Sequence, residues 1–287
     1  MKEIECTCGH CGHRFRTTPE PVHLLLCGDS TSKADVDRVM DGEQASLCFT
    51  SPPYAQQRDY TTESQGQEWD TLMQGVFAHL PMAADGQVLV NLGLVHRDGE
   101  WTPYWESWIA WMREQGWRRF GWYVWDQGSG LPGDWCGRFG PSHEFVFHFN
   151  RASVKPDKFV DKKPASIRAK PKDDVGLRAK DGTLAPISNP EAFAQPTKAP
   201  DSVIRINRSA EAIRSLHPAV FPVALAAFLQ RCWDGLINEP FSGSGTAIAA
   251  ATQLGHRVRA IEISPQYVDV AVMRWEKLTG QKAILAP

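Results

Sequence analysis

Long apolar runs are missing from this chain. No stretch approaches the roughly 18–20 residues that cross a bilayer. The first residues, MKEIECTCGHCGHRF, hold no apolar core of the kind a secretion signal needs. The expectation is a cytoplasmic protein with no membrane partner. Net charge is nearly missing too, at −2 from 31 basic and 33 acidic residues, so the whole-chain balance names no partner. Seven cysteines in a cytoplasmic chain of 287 residues do not make a disulfide scaffold. The lysine of a phosphate loop is absent, which argues against nucleotide hydrolysis, and a third glycine at dinucleotide-binding spacing is absent as well. No internal repeat is visible.

What is present is a chain 42% hydrophobic and 22% charged, enough to pack one large domain or two modest ones. HLLLCGDS (His23 to Ser30) reads as a short strand ending in a turn, SKADVDRVM as a helix and ASLCF as the next strand. Residues 55–68 read as a long polar loop. EWDTLMQGVFAHLPMAA predicts an amphipathic helix with Leu72, Val76 and Leu80 on one face. GQVLVNLG is a buried strand. YWESWIAWMREQG is a helix whose Trp105, Trp108, Ile109 and Met112 share a face, stopped by Gly116. RRFGWYVWD and HEFVFHFN alternate aromatics as strands do and flank the glycine-rich QGSGLPGDWCGRFG.

Near the other end, PAVFPVALAAFLQRC reads as a helix, GLINEPF as a strand, GTAIAAATQLG as a helix and RVRAIEI as a strand. SPQYVDVAVMRWEKLTG is a final helix with Ser264 as N-cap and Pro265 at its first position. Strands alternating with helices of this length make an α/β fold, a mostly parallel sheet covered on both faces. Between the two blocks the composition changes. Residues 151–210 carry 13 Lys/Arg against 7 Asp/Glu and seven prolines, whereas the remainder carries 18 against 26. This basic, extended insertion is either a solvated linker or a surface for a polyanion.

Two turns stand out. In TSPPY (Thr50 to Tyr54) a buried strand ends on a hydroxyl, two prolines and an aromatic ring. Two prolines can neither continue a strand nor enter a helix interior. In INEPFSGSGTAIAAA, Gly243 and Gly245 sit between a strand and a helix. Backbone can approach a ligand closely there, and the helix N-terminus offers free N–H groups. Glu262, at the tip of the following strand, is placed to accept ribose hydroxyls. A purely structural turn would not need that acid.

TSPPY and FSGSGT together resemble the catalytic and cofactor motifs of the DNA amino-methyltransferases that use S-adenosylmethionine. Their order along the chain is that of the β class, with the target-recognition region between them. CGDS (Cys27 to Ser30), YVWDQGSG, SHEFVFHFNR and HPAVFP (His217 to Pro222) also match family segments, so the resemblance covers roughly residues 24–150 and 211–280. It implies a Rossmann-like methyltransferase fold. The arm 1–23 would precede a catalytic half at 24–150, a target-recognition insertion at 151–210 and a cofactor-binding half at 211–287. The resemblance further implies that Ser51, Pro52, Pro53 and Tyr54 are catalytic. It places S-adenosylmethionine against Asp29, Thr50, His217, Pro218, Phe241, Ser242, Gly243, Ser244, Gly245, Thr246 and Glu262. In the basic insertion, Lys162, Lys163, Arg168 and Lys170 are the expected contacts to double-stranded DNA. The family leaves a homodimer open. Glu239 departs from its pattern, in which an Asp usually precedes Pro-Phe.

The residue types suit that chemistry. An exocyclic amino nitrogen is a poor nucleophile because its lone pair is delocalised into the ring. Acceptors on its two N–H bonds favour a more tetrahedral nitrogen. The Ser51 hydroxyl and the Pro52 carbonyl supply two acceptors, and the prolines fix the carbonyl's direction. The Tyr54 ring offers a stacking face, and the base must leave the duplex to reach it. Carbon-5 cytosine methylation would need a cysteine nucleophile in a Pro-Cys context, and the chain has no such pair. In the family that the chain resembles, serine at position 51 goes more often with cytosine N4 and HPAVFP leans the same way, so the resemblance implies cytosine N4, with adenine N6 as the alternative. An inactive DNA-binding module and an RNA methyltransferase are the remaining readings.

CTCGHCGHRF gathers Cys6, Cys8, Cys11 and His13. It reads either as the first knuckle of a zinc ribbon holding structural zinc or as an arm with free thiols, since no second knuckle follows at the usual spacing. Nine of the eleven tryptophans precede residue 150. Trp101, Trp105 and Trp108 read as core or subunit interface. Trp125 and Trp135 are candidates for the base pocket, and His143 and Glu144 read as a strand cap.

Overall fold

A computed structural model describes residues 4–7, 14–17, 23–54, 69–97, 99–130, 133–162, 177–178, 180–185, 195–208 and 221–285. The chain divides into two compact units, one of residues 1–154 with 203–287 and one of residues 155–202.

In the first unit, β1 (Ile4–Thr7) and β2 (Arg14–Thr17) form a small antiparallel hairpin. The succession that follows is β3 (Leu24–Cys27), α1 (Lys33–Met40), β4 (Ala45–Thr50), α2 (Trp69–Phe77), β5 (Met82–Leu92), β6 (Val95–Arg97), β7 (Glu100–Thr102), α3 (Glu106–Glu114), β8 (Arg118–Asp126) and β9 (His143–Asn150). The second unit contributes two short antiparallel pairs, β10 (Val160–Asp161) with β13 (Thr197–Lys198) and β11 (Leu177–Arg178) with β12 (Leu184–Ala185). The first unit then resumes with β14 (Val203–Arg205), α4 (Val223–Gln230), β15 (Leu236–Glu239), α5 (Thr246–Leu254), β16 (Arg257–Glu262) and α6 (Pro265–Thr279).

Eight strands build the main sheet in the order β14-β8-β9-β5-β4-β15-β16-β3. All neighbours are parallel except those of β9, which runs antiparallel to both β5 and β8. This is the mostly parallel, helix-covered sheet expected from the sequence. The Val36, Val39 and Met40 side chains of α1, Met73, Val76 and Phe77 of α2 and Trp108 and Met112 of α3 enter one core with β4, β5 and β9. The alanine-rich α5 packs against α4, α6 and β16. Its small side chains let the helices lie close. Among the described residues no helix is long and apolar enough to cross a membrane.

Several elements differ from the sequence expectation, each for a local reason. The α2 helix stops at Phe77 and does not run on to residue 84, so Leu80 lies beyond it. Pro81 has no N–H for a helix, and its carbonyl instead accepts from Ala45 N at 2.8 Å as β4 and β5 begin to pair. Trp105 and Trp108 are buried as expected, Trp108 against the rings of Trp69, Phe77 and Phe149, but Trp101 sits on β7 and is 56% exposed. Trp125 is 3% exposed and donates from Nε1 to Ile206 O at 2.8 Å. It therefore anchors the chain just after β14 and presents no free ring to a base. The β14 strand itself lies inside the stretch read as an insertion, drawn onto the sheet edge by its buried Ile204. Residues 55–68 lie outside the described residues.

A buried polar chain fixes the register of β5, β8 and β9. Tyr123 Oη lies 2.8 Å from His148 Nδ1, and His148 Nε2 lies 2.9 Å from Gln87 Oε1. Asn150 Nδ2 donates to the same Gln87 oxygen at 2.9 Å. A one-residue slip would orphan every member. Burial lowers the His148 pKa to about 4, so the folded protein holds this ring neutral. Below pH 6.5 the unfolded chain takes up a proton that the fold refuses. Acidification from pH 6.5 to about 4 is therefore expected to destabilise the wild type more than a His148→Gln variant. Urea unfolding midpoints at pH 7 and pH 5 check this, and a variant with the same pH dependence as the wild type refutes it.

Candidate active site

Because β3, β4, β5, β15 and β16 are parallel, their carboxyl ends share one edge of the sheet. The antiparallel β9 begins at that edge. At its centre β4 and β15 lie side by side, and the chain leaves them in opposite directions, toward β5 on one side and β16 on the other. Such a switch point opens a crevice where ligands bind in doubly wound sheets. Both motif turns emerge there.

One hydrogen-bonded clamp ties the two turns together. Thr50, the last residue of β4, donates from Oγ1 to Glu239 Oε1 at 2.5 Å, and the same oxygen accepts from Phe241 N at 3.1 Å. Thr50 and Glu239 are both buried. Burial pushes the Glu239 pKa up to about 8, against the pull of those two hydrogen bonds. The family's usual aspartate is one methylene shorter. The longer glutamate reaches across to the neighbouring strand, which gives the departure at position 239 a physical role. The Thr50 hydroxyl gives its proton to this clamp.

On the β15 side, Gly243 (φ 52°) and Gly245 (φ 74°) both lie in the left-handed region. A Cβ at position 245 would come within 2.8 Å of Ala271 Cβ in α6, so only glycine lets the loop lie flat on that helix. Arg274 of α6 donates to Thr246 Oγ1 at 2.9 Å and to Ser244 O at 3.4 Å. Glu262 accepts from Gly243 N at 2.7 Å and Ser264 N at 3.0 Å, and burial raises its pKa. Ser264 occupies the N-cap position of α6 without a side-chain capping bond. The turn after β3 is stitched to the ends of β15 and β16. Ser30 Oγ donates to Pro240 O at 2.6 Å and Gly28 N to Glu262 O at 3.0 Å. Asp29 in that turn accepts from Thr31 N and Thr31 Oγ1, each at 2.8 Å. Ser242 Oγ is buried and has no partner among the described residues. A glycine loop, a paired acid and an unsatisfied buried hydroxyl fit an adenosyl ligand. His217 and Pro218 lie outside the described residues.

On the β4 side, aromatic side chains buttress the proline turn. Trp69 Nε1 donates to Pro53 O at 2.7 Å, and the Trp69 ring packs edge-on against Tyr104 and Trp108. Tyr104 Oη donates to Gly93 O at 2.9 Å. The Tyr54 ring lies over Gly93, where an added Cβ would sit 2.7 Å from Tyr54 Cε2. Pro52 is buried, while Ser51 and Tyr54 are half-buried. Tyr54 Oη donates to Glu144 Oε2 at 2.6 Å, and Asn91 Nδ2 donates to the same carboxylate oxygen at 2.6 Å. Burial, reinforced by the Glu144 charge, pushes the Tyr54 phenol well above its ordinary value.

Asn91 and Glu144 are the site residues that sequence reasoning missed. Asn91 had a readable signal, as the one amide in the apolar run VLVNL near the carboxyl end of a central strand. Glu144 was read as a strand cap with His143. It is the second residue of β9, whose reversed direction brings that start to the site edge. Trp135, the other base-pocket candidate, lies half-buried in the glycine-rich loop. Lys162 follows β10 in the second unit, its N–H donating to Pro196 O at 2.8 Å, whereas Lys163, Arg168 and Lys170 lie outside the described residues. Among the described residues no group of three His, Cys, Asp or Glu is placed to hold a metal ion. Cys6 lies on β1, and Cys8, Cys11 and His13 are outside the described residues.

Comparison with known proteins agrees with this geometry. The chain is 29% identical over 269 residues to the type II methyltransferase M.ScaI of Streptomyces caespitosus, covering 88% of this chain and 81% of that protein. It superposes on the PvuII DNA methyltransferase, described as cytosine-N4-specific, with a TM-score of 0.61 at 21% identity, covering 91% of this chain and 93% of that one. The M1.HpyAVI–SAM complex gives a TM-score of 0.56 at 15% identity over 88% of this chain and the whole of that one. The N6/N4 DNA methylase family matches residues 45–273, from the start of β4 into α6. That span contains the proline turn, the clamp and the glycine loop, and the chain belongs to the N6/N4 family of DNA methylases.

Proposed function

We propose that this methyltransferase transfers a methyl group from S-adenosylmethionine to the exocyclic amino group of a base flipped out of duplex DNA, with cytosine N4 as the preferred target. The observation that carries the proposal is the Thr50–Glu239 clamp, which sets the TSPPY turn beside the PFSGSG loop across the switch point. Bound S-adenosylmethionine supplies a methyl group already activated on a sulfonium. The chain's own residues do the rest. Gly243 and Gly245 let backbone approach the adenosyl group, and Glu262 accepts its ribose hydroxyls. The Ser51 hydroxyl and the Pro52 carbonyl take the two amino N–H bonds and steer the nitrogen lone pair. The buttress from Trp69 keeps the turn rigid, so that this orientation is preorganised. The Tyr54 ring stacks on the extruded base and offsets part of the few kcal/mol that unpairing costs.

Serine at position 51 supports cytosine N4, as does the likeness to the cytosine-N4-specific PvuII enzyme. Adenine N6 is the second reading, because the family holds both activities under one motif pattern. Sequencing that maps modified bases in DNA from an expressing host distinguishes them. N4-methylcytosine at one short motif is expected, and N6-methyladenine there would overturn the preference.

Three measurements test the site. With tritiated S-adenosylmethionine and duplex DNA, Ser51→Ala and Tyr54→Ala should each lower methyl transfer by ~10²-fold or more. Wild-type rates in both would refute the catalytic role of the turn. Gly245→Ala forces a Cβ onto Ala271 and strains a left-handed residue, at a cost of about 1–3 kcal/mol. Calorimetry should show S-adenosylmethionine affinity weakened about tenfold or more, and unchanged affinity would remove the loop from the cofactor site. Finally, neutralising Lys162, Lys163, Arg168 and Lys170 should weaken DNA binding and flatten its dependence on salt, each lost phosphate contact lowering the slope by about 0.9. An unchanged slope would return the basic segment to a linker role.

A further inference from the structure

The Tyr54 hydroxyl belongs to a chain of oxygen atoms that the stacking role leaves unexplained. Tyr54 Oη donates to Glu144 Oε2 at 2.6 Å, across 90 positions of sequence. The Ser51 side chain stands near enough to Tyr54 to pull the phenol's pKa down against burial and the Glu144 charge. Asn91 Nδ2 spans all three, at 2.6 Å from Glu144 Oε2, 3.1 Å from Tyr54 Oη and 3.5 Å from Ser51 Oγ. Asn91 is 1% exposed and locked in its strand. A hydroxyl and a phenol each donate and accept at once, which is what passing a proton along a line requires. The line begins at the group set to hold the target amino nitrogen. It ends on a carboxylate that is only half-buried and has no cationic partner among the described residues.

We propose that Glu144 is the terminal proton acceptor of methyl transfer, reached through Tyr54 and Ser51. The proposal rests on the reading of the TSPPY turn given above. As the amino nitrogen takes the methyl carbon, the sulfur keeps the electron pair of the broken carbon–sulfur bond. The nitrogen must then shed one of its two protons to end neutral. That proton passes to the Ser51 oxygen, the Ser51 proton to Tyr54 Oη and the Tyr54 proton to Glu144 Oε2. Ser51 and Tyr54 end as they began, the methylated base is neutral, and Glu144 is a neutral acid that releases its proton to water. The negative charge of Glu144 also stabilises the positive charge growing on the nitrogen. Because the resting phenol holds its proton firmly, the transfers run in concert and no tyrosinate accumulates.

Glu144→Gln keeps an acceptor for Tyr54 and Asn91 but cannot take the proton, and Tyr54→Phe keeps the ring but breaks the line. In single-turnover methyl transfer each is expected to be slower by ~10²-fold, and the double variant no slower than either. Affinities for DNA and S-adenosylmethionine should hardly change. The wild type should show a normal solvent deuterium isotope effect that both variants lose, and formate should restore rate to Glu144→Ala. A readout independent of turnover is tyrosine ¹³Cζ NMR of the cofactor-free protein, where Tyr54 should ionise at lower pH in Glu144→Gln. Near-wild-type rates in both variants, multiplicative losses in the double, or an unchanged isotope effect would overturn the relay. Should Glu144→Gln fail to fold, Tyr54→Phe decides alone. Full activity in Tyr54→Phe alongside an inactive Tyr54→Ala sinks only the relay, whereas full activity in Ser51→Ala and Tyr54→Ala sinks the turn's assignment itself.

Discussion

The hydrogen bond from Thr50 to Glu239 is the contact on which the rest of the site depends. It joins the last residues of two central strands whose connections diverge, at the point where a doubly wound sheet parts into a crevice. Each partner begins a different piece of machinery. Thr50 leads into the proline turn, and Glu239 leads into the glycine loop. A buried carboxyl group in an apolar sheet is costly when ionised, and Glu239 avoids that cost by holding its proton to about pH 8. A neutral acid there still accepts from Thr50 and from Phe241 N. The clamp thus works through hydrogen bonds and needs no buried charge.

Outward from the clamp, rigidity is supplied differently on the two sides. The glycine loop is held from below by α6, with Ala271 leaving room for a glycine and no more, and from the side by the carboxylate of Glu262. The proline turn is held by aromatic packing, from Trp69 on the Pro53 carbonyl through Tyr104 to Trp108 in the core. Three of the tryptophans in the first half of the chain find their explanation here. Trp69 and Trp108 are buttresses, and Trp125 pins the edge strand, while Tyr54 is the ring set in the turn itself.

What could be read from the sequence divides along the same line. The alternating strands and helices were legible because their periodicity is local. The two motif turns were legible because their chemistry sits within a few consecutive residues. Helix α2 was read too long because a proline that ends a helix can also begin a strand pairing. Asn91 and Glu144 were not identified, since what brings them to Tyr54 is the antiparallel pairing of β5 with β9, and no local pattern encodes that partnership. Trp125 was misjudged for the same kind of reason. A tryptophan beside a glycine-rich loop looks available until the sheet places a carbonyl against its indole nitrogen.

The packing of α6 on β3 places the last helix of the main unit beside its first sheet strand. The clamp, meanwhile, couples the two motif turns through space, with no regard for which is synthesised first. Together these make the crevice indifferent to chain order. A polypeptide opened within the 155–202 unit and rejoined from α6 to β3 would present the glycine loop before the proline turn and still assemble the same edge. The site is a property of adjacency in the sheet, and the sequence order in which its halves are written is one of two equivalent spellings.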